Sequence, residues 1–108
     1  MTKGTGTDAN PLDGDKVTIE LEITNGVVSI TKAVADGCDS IGLMVRSVEE
    51  LAHRKTEDEA WMIDVAAVKR AMVAVSAESE RCALTAVGAL RSALVDARVR
   101  ARVEGVKR

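Results

Sequence analysis

The stretch Val17-Thr-Ile-Glu-Leu-Glu-Ile-Thr-Asn-Gly-Val-Val-Ser-Ile30 decides the fold of this chain. Apolar and polar residues alternate strictly from Val17 to Thr24, which is typical of a half-buried strand. The following dipeptide, Asn25-Gly26, suits a two-residue type I′ turn better than any other. These signals predict a β-hairpin over residues 17–32.

A two-residue turn also fixes the pairing of the two strands. It places opposite each other Thr24 and Val27, Ile23 and Val28, Glu22 and Ser29, and Leu21 and Ile30. Directly paired residues share a face, so this register gathers the apolar side chains on one side. The alternative is a helix that starts near Val27, where apolar residues also fit a heptad. The β-branched run and the turn dipeptide favour the hairpin.

The residues before the hairpin predict little structure. Residues 1–15 are rich in Gly, Thr, Asp and Asn and contain the chain's single proline. We expect a flexible leader there and one small domain over residues 16–108. The start also lacks the apolar stretch of a signal peptide, which indicates a cytoplasmic protein with reduced thiols.

The residues after the hairpin predict helices. An apolar stripe predicts a first helix over residues 39–55. Thr56 and Glu59 have the spacing of a capping box, so a second helix begins directly afterwards and forms a helical hairpin or corner with the first. Residues 57–103 are either one helix of roughly 70 Å or two helices with a break near residues 76–79. Residues 98–108 fit a helix face and a strand equally well. The predicted fold class is therefore α+β and mostly helical.

The composition of the apolar residues predicts self-association. The chain has no Phe, no Tyr and one Trp, and most of its apolar residues are Ala and Val. A core of small side chains must bring backbones close together or borrow surface from another chain. Residues 60–77 are apolar on several sides, which favours a homodimer or higher oligomer. The predicted interface residues are Trp61, Val65, Val68, Met72, Val75, Leu90 and Leu94.

The charge is small overall but divided along the chain. The net charge is −2, yet residues 1–60 are acidic and residues 61–108 are basic. The missing aromatic residues argue against readers of single-stranded nucleic acid, and charges within the apolar region argue against a membrane span. One basic cluster could contact nucleic acid non-specifically. It comprises Arg98, Arg100, Arg102, Lys107 and Arg108.

Few residues suggest chemistry. Cys38 and Cys82 lack a metal-binding spacing, and we interpret them as small buried apolar residues, with a disulfide or redox pair as the alternative. Glu50 and His53 have the i, i+3 spacing of carboxylate-bridged metal sites, but a full ligand set would need a second chain. We expect no cofactor and no catalytic residue.

These observations favour a non-enzymatic regulatory or interaction module, such as an inhibitor or adaptor, that forms a homo-oligomer and binds another protein. The first alternative is a nucleic-acid accessory protein that uses the basic C-terminal segment. The second is a metal-dependent enzyme whose site is formed across a dimer by Glu50 and His53.

Overall fold

The computed structural model describes the whole chain except residues 11, 13, 38, 71–76 and 107–108, and it leaves out the side chains of residues 39–40, 77–79 and 104–106. Three strands precede four helices, so the fold is α+β. The strands are β1 (Thr2–Asn10), β2 (Asp15–Thr24) and β3 (Val27–Asp36), and the helices are α1 (Asp39–Ala52), α2 (Glu57–Trp61), α3 (Val65–Arg70) and α4 (Ala77–Val106).

Strands β2 and β3 form the predicted hairpin. The four predicted pairs, from Thr24 with Val27 to Leu21 with Ile30, are the observed ones, and this register is confirmed. Both turn residues, Asn25 and Gly26, have positive φ angles, as a type I′ turn requires. Beyond Leu21 the partner of Glu20 is Lys32, so Thr31 forms a single-residue bulge that the sequence pattern did not reveal.

Strand β1 replaces the expected leader. It pairs antiparallel with β2 from Thr2 to Asn10, giving a three-stranded sheet of order β1-β2-β3. Its inward positions include Gly4 and Gly6, and a Cβ on either residue would overlap backbone atoms of α4 at Ala93. The glycines that suggested flexibility therefore allow a helix to lie directly on the strand.

Helix α1 ends at Ala52, three residues before the predicted end. Arg54 has a φ of 67°, which leaves the helical conformation. Its N–H donates to the Val28 carbonyl, and the Val28 N–H donates to the Lys55 carbonyl, both at 2.7 Å. The chain therefore exchanges helical hydrogen bonds for bonds to the outer edge of β3.

The predicted long helical region is interrupted between Trp61 and Val65. The predicted capping box is present, with Thr56 Oγ1 accepting from Glu59 N–H at 3.2 Å and Glu59 Oε1 accepting from Thr56 N–H at 3.0 Å. Helix α2 nevertheless ends at Trp61, because Asp64 Oδ1 accepts the N–H of Ala67 and begins α3. The described part of α4 runs from Ala77 to Val106, in place of the alternative C-terminal strand. A break was expected near residues 76–79, and residues 71–76 lie outside the described residues.

The core lies between one face of the sheet and helices α1 and α4. Branched side chains fill its centre, whereas alanines dominate the buried face of α4. No helix among the described residues is long and apolar enough to cross a membrane. The largest fully buried apolar side chains are Ile19, Leu21, Ile41, Met44, Leu90 and Leu94.

Candidate functional site

One end of the sheet brings together segments that are far apart in sequence. Strand β2 begins at Asp15, β3 ends at Asp36, and the two strands are antiparallel neighbours. The start of β2 therefore meets the residues that follow β3. Helix α4 passes the same point one turn after its start and places Cys82 against Asp15.

Cys82 and Asp15 form the chemical centre of this end. The Cys82 thiol donates to Asp15 Oδ2 at 3.2 Å, and 67 residues separate the two in sequence. Cys82 is completely buried and Asp15 is 1% exposed. Since a buried carboxylate is costly unless it accepts hydrogen bonds, this pair is a specific feature of the fold.

A close backbone contact at Gly37 and a turn directly before Asp15 flank the carboxylate. A Cβ on Gly37 would overlap Asp15 Oδ1, and the residue has a φ of 146°. The turn before Asp15 contains Gly14 with a φ of 70°, and Asn10 Oδ1 accepts the N–H of Leu12 at 3.0 Å. Glycine is favoured where φ is positive, and at Gly37 the close approach also requires it.

Cys38 directly follows Gly37 in the chain and lies outside the described residues, as does Asp13. Within the described part of the chain, no group of three His, Cys, Asp or Glu residues has the arrangement of a metal site. The Cys82–Asp15 pair does combine a soft sulfur atom with a hard oxygen atom, both of which can bind metals. Such a pair suits iron or zinc better than magnesium or calcium.

Exposed apolar surface lies beside the cysteine. Leu12 in the β1–β2 turn is 83% exposed, and Leu84 on α4 is 62% exposed. Together with Arg81 and Thr85 they line an open groove along the start of α4. The groove lies on the exposed side of the part of α4 that contains Cys82, and a partner could cover it.

The predicted interface residues are mostly parts of the chain's own core. Val68, Leu90 and Leu94 are buried within the single chain, which leaves them no surface for a second one. Val65 is half-buried, and Met72 and Val75 lie outside the described residues. The half-buried Trp61 has Arg91 and Arg98 over its ring at 5.5 and 5.7 Å, so it joins α2 to α4.

The predicted nucleic-acid contacts are partly neutralised by acidic neighbours. Arg98 pairs with Glu57 at 3.3 Å and with Asp58 at 3.8 Å. Arg100 pairs with Asp96 at 3.1 Å. Arg102 is exposed, and Lys107 and Arg108 lie outside the described residues.

His53 has a structural role in this fold. Its Nδ1 accepts the N–H of Ile30 at 3.1 Å and so covers part of the β3 edge. Glu50 is exposed on the last turn of α1. The structure gives this pair no further acidic or histidine ligand among the described residues.

Sequence reasoning missed the pairing of Asp15 with Cys82. Asp15 was included in the leader, and Cys82 was interpreted as a small apolar residue. A usable signal was nevertheless present, because extending the hairpin register from Leu21 and Ile30 brings residue 15 to the segment next to Cys38. The position of Cys82 depends on how α4 lies across β1, which no local pattern specifies.

No protein-family model matches the chain. The chain is similar to two iron–sulfur cluster assembly scaffold proteins. These are IscU 1 and IscU 2 of Archaeoglobus fulgidus, each 32% identical over 93 residues, which is 86% of this chain and 61% of each relative. The chain thus spans about three fifths of the length of the curated relatives that it matches.

This similarity corrects the predicted function. The expectation of a regulatory module, inhibitor or adaptor is wrong, because the matching proteins are scaffolds for iron–sulfur cluster assembly. The interpretation failed because it relied on apolar helix faces and found no polar site. The polar site depends on residues 15 and 82, which approach each other only in the folded chain.

Proposed function

We propose that this protein is a scaffold on which an iron–sulfur cluster is assembled, and that the cluster is held at the end of the sheet where Cys82 meets Asp15. The observation that carries the proposal is the buried hydrogen bond between the Cys82 thiol and Asp15 Oδ2. The similarity to IscU 1 and IscU 2 supports the same chemistry.

The residue types suit iron–sulfur chemistry. Protein-bound clusters are held mainly by cysteine thiolates, and a thiol must lose its proton to bind iron. The Asp15 carboxylate already accepts a hydrogen bond from the Cys82 thiol. In this proposal Asp15 accepts the thiol proton as iron binds to Cys82.

The number of cysteines suits temporary binding. A permanent cluster usually has four cysteine ligands, and this chain has only Cys38 and Cys82. The remaining ligands would be carboxylates, or would come from sequence outside these 108 residues or from another molecule. Carboxylates are harder ligands than thiolates and match iron–sulfur clusters less well, so a cluster held in this way can be passed on.

Anaerobic reconstitution with ferrous iron and sulfide tests the proposal. We expect the wild-type protein to retain both elements after desalting and to show sulfide-to-iron charge-transfer absorption. Cys82→Ser should lose most of this absorption, and Asp15→Asn should reduce the yield or the stability of the cluster. Asp58→Asn is the matched control, because its carboxylate is exposed and pairs with Arg98 at 3.8 Å.

Circular dichroism of each apo variant separates a ligand effect from unfolding. A wild-type protein that retains neither iron nor sulfide would refute the proposed function. Equal retention by wild type and Cys82→Ser would refute the proposed site. Cys38→Ser tests whether the second thiol belongs to the same site.

The proposal also covers how the protein acts. We expect it to bind and transfer a cluster without catalytic turnover, to work in the cytoplasm and to contact another protein. The exposed Leu12 and Leu84 beside Cys82 support a protein contact at this end. Incubating the reconstituted protein with an apo-ferredoxin tests transfer, and Leu84→Ser should slow it while leaving the initial cluster content unchanged.

A further inference from the structure

The described residues cover the outer edge of β3 along only half of its length. Residues 53–57 supply hydrogen bonds to Gly26, Val28 and Ile30, which protect the part of the edge next to the turn. The described residues supply no comparable bonds to the edge from Thr31 to Asp36. Open strand edges present unpaired N–H and carbonyl groups that another strand can use.

The bulge determines which groups face outward. The backbone groups of Val28 and Ile30 point away from β2, as their bonds to residues 53–55 show. A single extra residue at Thr31 reverses the alternation. From there on Ala33 and Ala35 direct their N–H and carbonyl groups outward.

A second copy of β3 fits this edge in one antiparallel register. With the register centred on Val34, the outward-facing Ala33 of one copy is paired with Ala35 of the other. The twofold axis that relates the two copies then passes between their Val34 residues. Lys32 of each copy lies opposite Asp36 of the other, which gives two such pairs. Registers centred on Ala33 or Ala35 would instead place Lys32 or Asp36 opposite an exposed valine.

Charges of alternating sign extend this complementarity across the sheet. Within one copy, Glu20 is the cross-strand partner of Lys32 and Lys16 is the partner of Asp36. Glu20 also forms an ion pair with Lys32 at 3.7 Å. The paired edges would therefore produce a row of acidic, basic, acidic and basic side chains, while Val34, 45% exposed, would pack on its own copy.

We infer that two copies of this chain associate through Lys32–Asp36 of β3 and form a continuous six-stranded sheet. The surface consists of small side chains at Ala33, Val34 and Ala35 with opposite charges at both ends, so these three side chains leave room for close approach of the strands. This inference goes beyond cluster binding and does not depend on it, because Asp15 and Cys82 contribute nothing to the edge.

Light scattering over a dilution series, combined with charge exchange, tests the inference. Lys32→Asp and Asp36→Lys each place like charges opposite each other at two positions, and we expect each to lower the association constant about tenfold or more. The quadruple variant K16D/E20K/K32D/D36K restores the opposite pairs between the copies and also keeps opposite charges between β2 and β3 within each copy, so it should restore association. Lys3→Asp on β1 is the control for the change of charge.

Hydrogen–deuterium exchange gives an independent measurement. The amides of Ala33 and Ala35 should be protected at high protein concentration and should lose protection on dilution. A wild-type protein that is monomeric at all concentrations would overturn the inference. So would a dimer that Lys32→Asp and Asp36→Lys leave intact, or one that the quadruple variant fails to restore.

Discussion

The two halves of the core are built on opposite principles. Where β2 and β3 meet helices α1 and α4, large side chains such as Leu21 and Met44 fill the space between the sheet and the helices. Where β1 meets α4, Gly4 and Gly6 face Ala93, and the backbones nearly touch. The first region is stabilised by the volume of its side chains, and the second depends on their absence. The same type of substitution should therefore have opposite consequences in the two regions.

The largest effect should come from adding atoms to the β1–α4 contact. In Gly6→Val, the new side chain would overlap the Ala93 nitrogen and the Ala89 carbonyl oxygen, which are backbone atoms and cannot rotate away. We expect a loss of roughly 4 kcal/mol or more, a large part of the stability of a domain of this size. Urea unfolding measures it. A loss below about 1 kcal/mol would show that α4 does not lie directly on β1.

Removing atoms from the other region should be the next most damaging change. Leu21 is 1% exposed at the centre of the sheet, and Leu21→Ala should cost about 3 kcal/mol through lost burial and a residual cavity. The same urea measurement applies. Val99→Ala on the exposed side of α4 is the control, and it should change the free energy of unfolding by less than about 0.5 kcal/mol.

The same contrast explains what the sequence could predict. The alternation from Val17 to Thr24 and the Asn25-Gly26 turn specified the central hairpin and its register. Strand β1 was missed because an alternation of Gly and Thr carries no apolar signal, although its Gly4 and Gly6 are needed for close packing. Small residues can thus indicate either flexibility or a very close contact, and only the position of α4 distinguishes the two.

The candidate site was hidden for a related reason. Its two central atoms, Cys82 Sγ and Asp15 Oδ2, belong to opposite ends of the chain. Asp15 is placed by the hairpin register, which was predictable, whereas Cys82 is placed by packing of α4 on glycines, which was not. The expectation that small side chains bring backbones together describes the β1–α4 contact correctly, and the homodimer stays a prediction.

A smaller effect on stability is expected at the start of α2, which lies between α1 and α4 in the chain. Thr56→Ala removes the cap of α2 and should cost about 1 kcal/mol in thermal or urea unfolding.

The Thr56 N–H donates to Glu59 and, together with the Thr56 hydroxyl, holds the pKa of Glu59 below its ordinary value of 4.5. A carboxyl whose pKa is lowered by folding contributes stability above its unfolded pKa and loses it as the pH falls through the folded value. Thr56→Ala keeps the backbone N–H that lowers this pKa most, so Glu59→Gln is the variant for the pH test. Its difference from wild type in the free energy of unfolding should shrink as the pH falls below about 4.5. A difference that is constant from pH 7 to pH 3 would contradict this role of Glu59.

The smallest expected effect is an increase in stability, and it tests the contrast between the two regions most directly. Gly42 lies within α1, is exposed, and a Cβ built on it has open space around it. Gly42→Ala should raise stability by about 0.5–1 kcal/mol, because alanine loses less backbone entropy in a helix. A rise of a few degrees in the unfolding midpoint is the expected observation. Gly6→Ala makes the same chemical change on β1 and should lower the midpoint, since its Cβ meets the backbone of α4. If both variants moved the midpoint in the same direction, glycine content and not close packing would govern the stability of β1.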